Sequence, residues 1–226
     1  QLNDQDFGTF EYKELPKKKE VTEVPMTKIV TKKITSPSTP HLQMLWRTNS
    51  YGTHEARLAE VVSNILTNSG EAGLLDLNIN QKQTALYARS NTTLFKKYGV
   101  FALAIFPKNQ QTLDEARALL LEQINLVKKG EFPDWMIPAI VNDLKLEKMS
   151  DWETATGLAS TLYDVFIKER SWEEELSELS KFAEITKEEV VEFANGFFKD
   201  NYVVIYKEKG ENKQLIRVEN PGITPV

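Results

Sequence analysis

No cysteine occurs among the 226 residues, and histidine occurs only twice. The missing thiols exclude disulfides, thiolate nucleophiles and cysteine-based metal sites, and leave the redox compartment open. The scarcity of histidine bears on zinc, because a zinc helix needs its ligands one turn apart on one face. His54 precedes Glu55, but H-E-x-x-H requires a second histidine where Leu58 stands. The inverted order H-x-x-E-H requires Glu at Arg57 and His at Leu58, and His41 is followed by Met44 and Leu45 at the same offsets. Neither histidine starts a zinc motif. His54 and Glu55 are instead expected in the first turn of a helix capped by Thr53, where the helix dipole favours a carboxylate.

Other absences narrow the field further. No run of about 18 apolar residues is present to span a membrane, and the first ten residues lack the basic-then-apolar order of a signal peptide. There is no G-x-S-x-G nucleophile turn, no P-loop and no G-x-G-x-x-G. The formal net charge of -5 argues against a phosphate-backbone partner. The short basic runs at Lys17, Lys18 and Lys19 and at Lys32 and Lys33 lack interleaved aromatics and read as solvated, so no nucleic acid is expected.

What is present is ordinary core-forming material, 41% hydrophobic and 27% charged. Residues 1–25 are polar, carry Pro16 and Pro25, and read as an extended linker from an upstream domain. "TKIVTKKIT" and "HLQMLWRT" read as strands, the second with Leu42, Met44 and Trp46 on one face. From Thr53, Leu58, Val61, Val62, Ile65 and Leu66 follow the helical i, i+3, i+4 rule. "LLDLNINQKQ" is open between a short helix and an irregular segment, and "TALYARSNTTL" and "YGVFALAIF" are expected to form an antiparallel pair. Helices are expected from Thr112 with Glu115, from near Asp134, from Ser150 with Glu153, from Ser171 with Glu174, and from Thr186 with Glu189. In the last of these Val190, Phe193, Ala194 and Phe197 share a face. A final strand, a turn at Gly210 and a further strand are expected to close a domain over residues 26–219, with residues 220–226 as a linker to a downstream domain. The acidic group Glu173, Glu174, Glu175 and Glu178 reads as a solvated helix start, and Trp135, Trp152 and Trp172 as core anchors. The element order, β-α-β-β, a block of helices, then β, predicts an α+β fold, a mostly antiparallel sheet with helices packed on one face.

The run "SNILTNSGEAGLLDLNINQKQTALYARS", with "FALAIFPKNQQTLDEARALLLEQINLVKKGEF" and "ITKEEVVEFANGFF" after it, resembles the insulinase/pitrilysin family of zinc peptidases with the inverted motif. The resemblance covers most of the chain from about Ile29 and is to a non-catalytic repeat domain, most like the second domain of the N-terminal half.

That resemblance implies four related α+β domains closing as two bowl-like halves around a substrate chamber. Zinc is expected in the parent's catalytic domain and no cofactor in this chain. The implied partners are the other domains of the same polypeptide or a partner subunit, and a peptide substrate. A later domain of the family supplies an Arg and, seven positions on, a Tyr. In this chain Asn80 fills the Arg place and Tyr87 the Tyr place, and an amide cannot supply a positive charge. No residue of this chain is therefore expected to be catalytic. In some members the turn and strand equivalent to residues 70–73 and 86–90 form an exosite for extended peptide, which nominates Gly70, Leu86, Tyr87, Ala88 and Arg89. The alternatives are a structural or assembly subunit derived from an inactive member, and a free-standing peptide-binding module. Family habit and the missing cysteine set the expected location outside the cytoplasm.

Overall fold

The structure, a computed structural model, describes residues 13, 14, 16 and 23–211. The strand expected beyond the Gly210 turn and the downstream linker lie outside the described residues, as does most of the upstream linker.

Five strands form one sheet in the order β1-β5-β2-β4-β3. They are β1 (Val30–Ser36), β2 (His41–Thr48), β3 (Tyr87–Leu94), β4 (Gly99–Phe106) and β5 (Val203–Lys209). All neighbours are antiparallel except β1 and β5, which run parallel with Val30 opposite Val203. The alternation in β2 sets its faces: Leu42, Met44 and Trp46 are buried beneath the helices, and Gln43 and Leu45 point the other way. β4 is an interior strand, between β2 and β3, and apolar on both sides. Its Phe101, Leu103 and Ile105 are fully buried, and Ala104 is also covered.

Six α-helices among the described residues lie on the side of the sheet carrying Leu42 and Phe101, the first, second and last against it and the other three as an outer layer on them. The six are α1 (His54–Leu66), α2 (Leu113–Lys129), α3 (Met136–Glu153), α4 (Ala155–Ile167), α5 (Trp172–Ala183) and α6 (Lys187–Phe197). The expected caps account for several starts. Thr53 Oγ1 accepts from Ala56 N–H at 3.2 Å, and reciprocal capping boxes close the starts of α2, α5 and α6 through Thr112, Ser171 and Thr186. Buried Leu58, Val61, Val62, Ile65 and Leu66 join α1 to a core that also contains Leu120, Ile124, Val190 and Ala194. Burying each such aliphatic side chain contributes about 1.5–3 kcal/mol before conformational entropy is counted.

Three expectations need correcting. No helix starts at Ser150, because α3 runs through it to Glu153; the next cap is Thr154, whose Oγ1 accepts from Gly157 N–H. Trp135 is 58% exposed and anchors no core, whereas Trp152 and Trp172 stand half-buried against each other with ring centroids 5.6 Å apart. The acidic face at 173–178 is not wholly solvated either: Glu175 and Glu178 are buried.

Among the described residues no helix covers the opposite face of the sheet. Across it Leu45 lies beside Ala102 on β4 and Val203 on β5, all three half-buried, with Tyr87 and Arg89 on the β3 side.

Candidate functional site

The segment between α1 and β3 is built around one close backbone approach. Helix α1 ends where Thr67 turns extended, and the chain doubles back so tightly that a Cβ on Gly73 would lie 2.4 Å from the Leu66 carbonyl oxygen. Only glycine fits there. Buried Leu74, Leu75 and Ile79 then pin a π-helical turn, Asp76–Asn80, onto the core. This settles the segment left open between helix and irregular structure, and such turns recur at functional sites.

Two polar side chains of the turn organise its surroundings. Asp76, only 4% exposed, accepts through Oδ2 from the N–H groups of Asn68 (3.2 Å) and Gly73 (3.1 Å), and through Oδ1 from Asn80 Nδ2 (3.1 Å). Asn80 in turn reaches the strand: its Oδ1 accepts Ala88 N–H at 2.8 Å and its Nδ2 donates to Ala88 C=O at 2.9 Å. One position later along the same edge, Thr67 Oγ1 accepts Ser90 N–H at 3.0 Å, and Ser90 Oγ donates to the Ser63 carbonyl at 2.6 Å. Side chains thus satisfy both edge groups of Ala88 and the N–H of Ser90 without another strand. A peptide adding to β3 at Ala88 would have to displace the Asn80 amide.

The nominated residues separate by environment. Tyr87 (45% exposed) and Arg89 project from the helix-free face, and Tyr87 leans toward Phe106 with centroids 6.4 Å apart. Ala88 is fully buried on the helix side. Leu86 is 61% exposed, and Gly70 lies exposed in the preceding turn. Of the five only Tyr87 lines a cleft of about 460 Å³, which runs between Thr67, Asn68 and Ser69 on one wall and Asn80, Gln81 and Tyr87 on the other, with Asp76 among its lining residues. Gly70, Leu86, Ala88 and Arg89 do not line it. Asp76 was not singled out by sequence, although a carboxylate between leucines in "LLDLN" is the signal that could have found it.

A second polar centre lies between α1, α3 and α5. Glu178 accepts from Arg57 Nη1 (2.6 Å) and Arg170 Nη2 (2.8 Å). Glu175 meets Lys148 and accepts from Tyr51 Oη at 2.9 Å. Burial works to raise the Glu178 carboxyl, but the hydrogen bonds from Arg170 and Arg57 outweigh it and hold the group below the ordinary range. Burial and the Glu175 charge push the Tyr51 phenol upward. Burial also lifts the nearby Glu60 to about 7, against the opposing pull of Lys148 and with help from Glu178 and Glu147. This centre ties three helices together.

Among the described residues no three His, Asp or Glu side chains are grouped to hold a metal ion, and His54 instead lies 3.2 Å from Glu189. A zinc ion therefore does not fit the described residues. Among the described residues no helix is long and apolar enough to cross a membrane.

Comparison with known proteins gives the same architecture. A protease from Helicobacter pylori superposes with a TM-score of 0.81 at 16% identity, covering 92% of this chain and 51% of its own. The periplasmic protease PqqL from Escherichia coli gives 0.70 at 10% identity, with 100% and 29% covered. A peptidase M16 inactive domain from Pseudomonas fluorescens gives 0.67 at 14% identity, with 89% and 48% covered. At such identities the likeness establishes the fold, and the chain spans about half the length of the first and third of these and less of the second. No curated protein sequence matches. The family model of the peptidase M16 inactive domain matches residues 2–144, more than half of the 226, and the chain belongs to that family.

Proposed function

We propose that this chain is a wall of a substrate chamber in a zinc metallopeptidase, and that the cleft beside β3 holds part of an extended peptide. The reading rests on one arrangement: a helix-free sheet face with an aliphatic row at Leu45, Ala102 and Val203, bordered by Tyr87, Arg89 and the Asp76–Asn80 cleft. Peptide side chains have an apolar floor there and polar groups at its border, the mix that ligand clefts use. Gly70 and Leu86 flank the cleft in sequence. The edge of β3 at Ala88 is held by Asn80, so the peptide is taken by the face and the cleft, not by strand addition at that residue. Peptide-bond cleavage, with its zinc, belongs to another domain of the parent or to a partner subunit.

The test is titration of the chain with an unstructured peptide, read by amide chemical shifts. Changes confined to residues 67–73, 80–91 and the helix-free faces of β2, β4 and β5 around Leu45, Ala102 and Val203 support the proposal. Saturating shifts confined to the helical layer sink it, and so does chelator-sensitive hydrolysis of the peptide by this chain alone.

A further inference from the structure

On the helical layer, remote from β3, a pocket of about 360 Å³ opens between α3 and the link from α5 to α6. It shares no lining residue with the cleft beside Tyr87. Its lining on α3 follows from helical spacing: Ile137, Pro138, Val141, Asn142 and Lys145 lie on one face, a turn apart. The facing wall is Ala183, Ile185 and Lys187. Ile137, Val141 and Ile185 are each about one-twentieth exposed and form an aliphatic floor.

The charges at the rim are unequal. Lys187 is committed, its Nζ donating to Asp134 Oδ1 at 2.6 Å and to the Phe132 carbonyl at 2.8 Å while it lies over the Phe132 ring. Lys145 is half-buried and has no ion-pair or hydrogen-bond partner among the described residues. The pocket therefore presents an aliphatic floor, one uncompensated ammonium and the neighbouring Asn142 amide.

We infer that this pocket binds an aliphatic monocarboxylate, its chain on Ile137, Val141 and Ile185 and its carboxylate on Lys145. One lysine matches one negative charge. A phosphate would bring nearly two and would meet the Asp134 carboxylate at the other end of the rim, where Lys187 is already used. The volume is at the small end of ligand sites, which run about 300–1,000 Å³, and suits a body of about eight carbons.

Octanoate is the probe, titrated into the full chain by calorimetry and followed through the methyl signals of Ile137, Val141 and Ile185. Octanamide, of the same shape without the charge, is the control. The expected result is saturable one-to-one binding, methyl shifts confined to the pocket, and affinity for octanamide lower by about tenfold. Lys145→Gln should weaken octanoate to the octanamide level and Lys145→Arg should keep it, which separates a lost ligand contact from a misfolded variant. Failure to saturate by about 10 mM overturns the proposal, as does octanamide binding as tightly as octanoate or indifference to Lys145→Gln.

Discussion

Asn80 holds Ala88 by both of its edge groups, accepting its N–H at 2.8 Å and donating to its carbonyl at 2.9 Å. A side-chain amide has the same donor and acceptor as a peptide group, so it stands in for one residue of a missing neighbour strand. Ala88 is fully buried, and without Asn80 its N–H and C=O would face no partner. Asn80→Ala should therefore cost about 1–3 kcal/mol, read as a lower urea midpoint at unchanged slope. Asn80→Asp is the sharper variant. It keeps the acceptor but sets a carboxylate against the Ala88 carbonyl and Asp76 Oδ1, so at neutral pH it should be no more stable than Asn80→Ala.

Two glycines should respond in opposite directions to the same methyl group. Gly73→Ala drives a Cβ to 2.4 Å from the Leu66 carbonyl, with the backbone of Leu66 and Thr67 as the obstacle, and a loss of 2 kcal/mol or more is expected, as an order of magnitude. Gly196 lies within α6, where an added Cβ meets nothing within 4 Å. Gly196→Ala should stabilise by about 0.5–1 kcal/mol through helix propensity and a less disordered unfolded state. Thermal melts of the two variants check both signs, and equal effects would contradict this account of the turn.

Periodicity and capping chemistry made most of this fold legible. "HLQMLWRT" alternates, and β2 is that stretch; S/T-x-x-E occurs at Thr112, Ser171 and Thr186, and each forms a capping box. The same local pattern misled at Ser150, because a capping signature says nothing of whether a helix is already running. The site was less legible for a related reason. Gly70 and Tyr87 were reached through resemblance, while the roles of Asp76 and Asn80 depend on hydrogen bonds formed only when the π-helical turn meets β3. Glu178 looked solvated because its partner Arg57 is 121 residues away in sequence.

That long-range pairing sets a third expectation. Glu178 is 2% exposed between two guanidinium groups, so truncating it leaves half-buried Arg57 without its carboxylate and takes from Arg170 its nearest one. Glu178→Ala should cost about 3–5 kcal/mol, whereas Glu173→Ala, on the exposed side of α5, should stay within about 0.5 kcal/mol. The folded-state pKa of Glu178 is depressed. Its contribution is therefore present above the unfolded value near 4.5 and is lost as pH falls through the lower folded value.

Glu60 works in the opposite sense. Its folded pKa is raised from 4.5 to about 7, so the folded chain holds a proton there that the unfolded chain releases. The stability it contributes is fully present below pH 4.5, declines as pH rises from there, and is gone above about 7. Glu60→Gln keeps the shape and removes the titration. Relative to the unchanged chain it should gain stability between pH 5 and 8, on the order of 2 kcal/mol at most, and show little difference near pH 4. Denaturation midpoints at four or five pH values decide the matter, and a gain independent of pH would remove Glu60 as its cause.

Tyr87 separates the role of the cleft from that of the fold. Its ring is 45% exposed on the helix-free face, so Tyr87→Ala removes little buried area and should change stability by less than about 1 kcal/mol. The same ring lines the cleft opposite Thr67 and Asn68. Loss of an aromatic wall from a binding cleft costs about 1–2 kcal/mol, about tenfold in affinity for an extended peptide. Affinity and melting temperature should therefore part company in this variant: binding weakened, fold intact. If Tyr87→Ala binds peptide as tightly as the unchanged chain, the cleft is not the peptide site and the proposed function must rest on the Leu45, Ala102 and Val203 face alone.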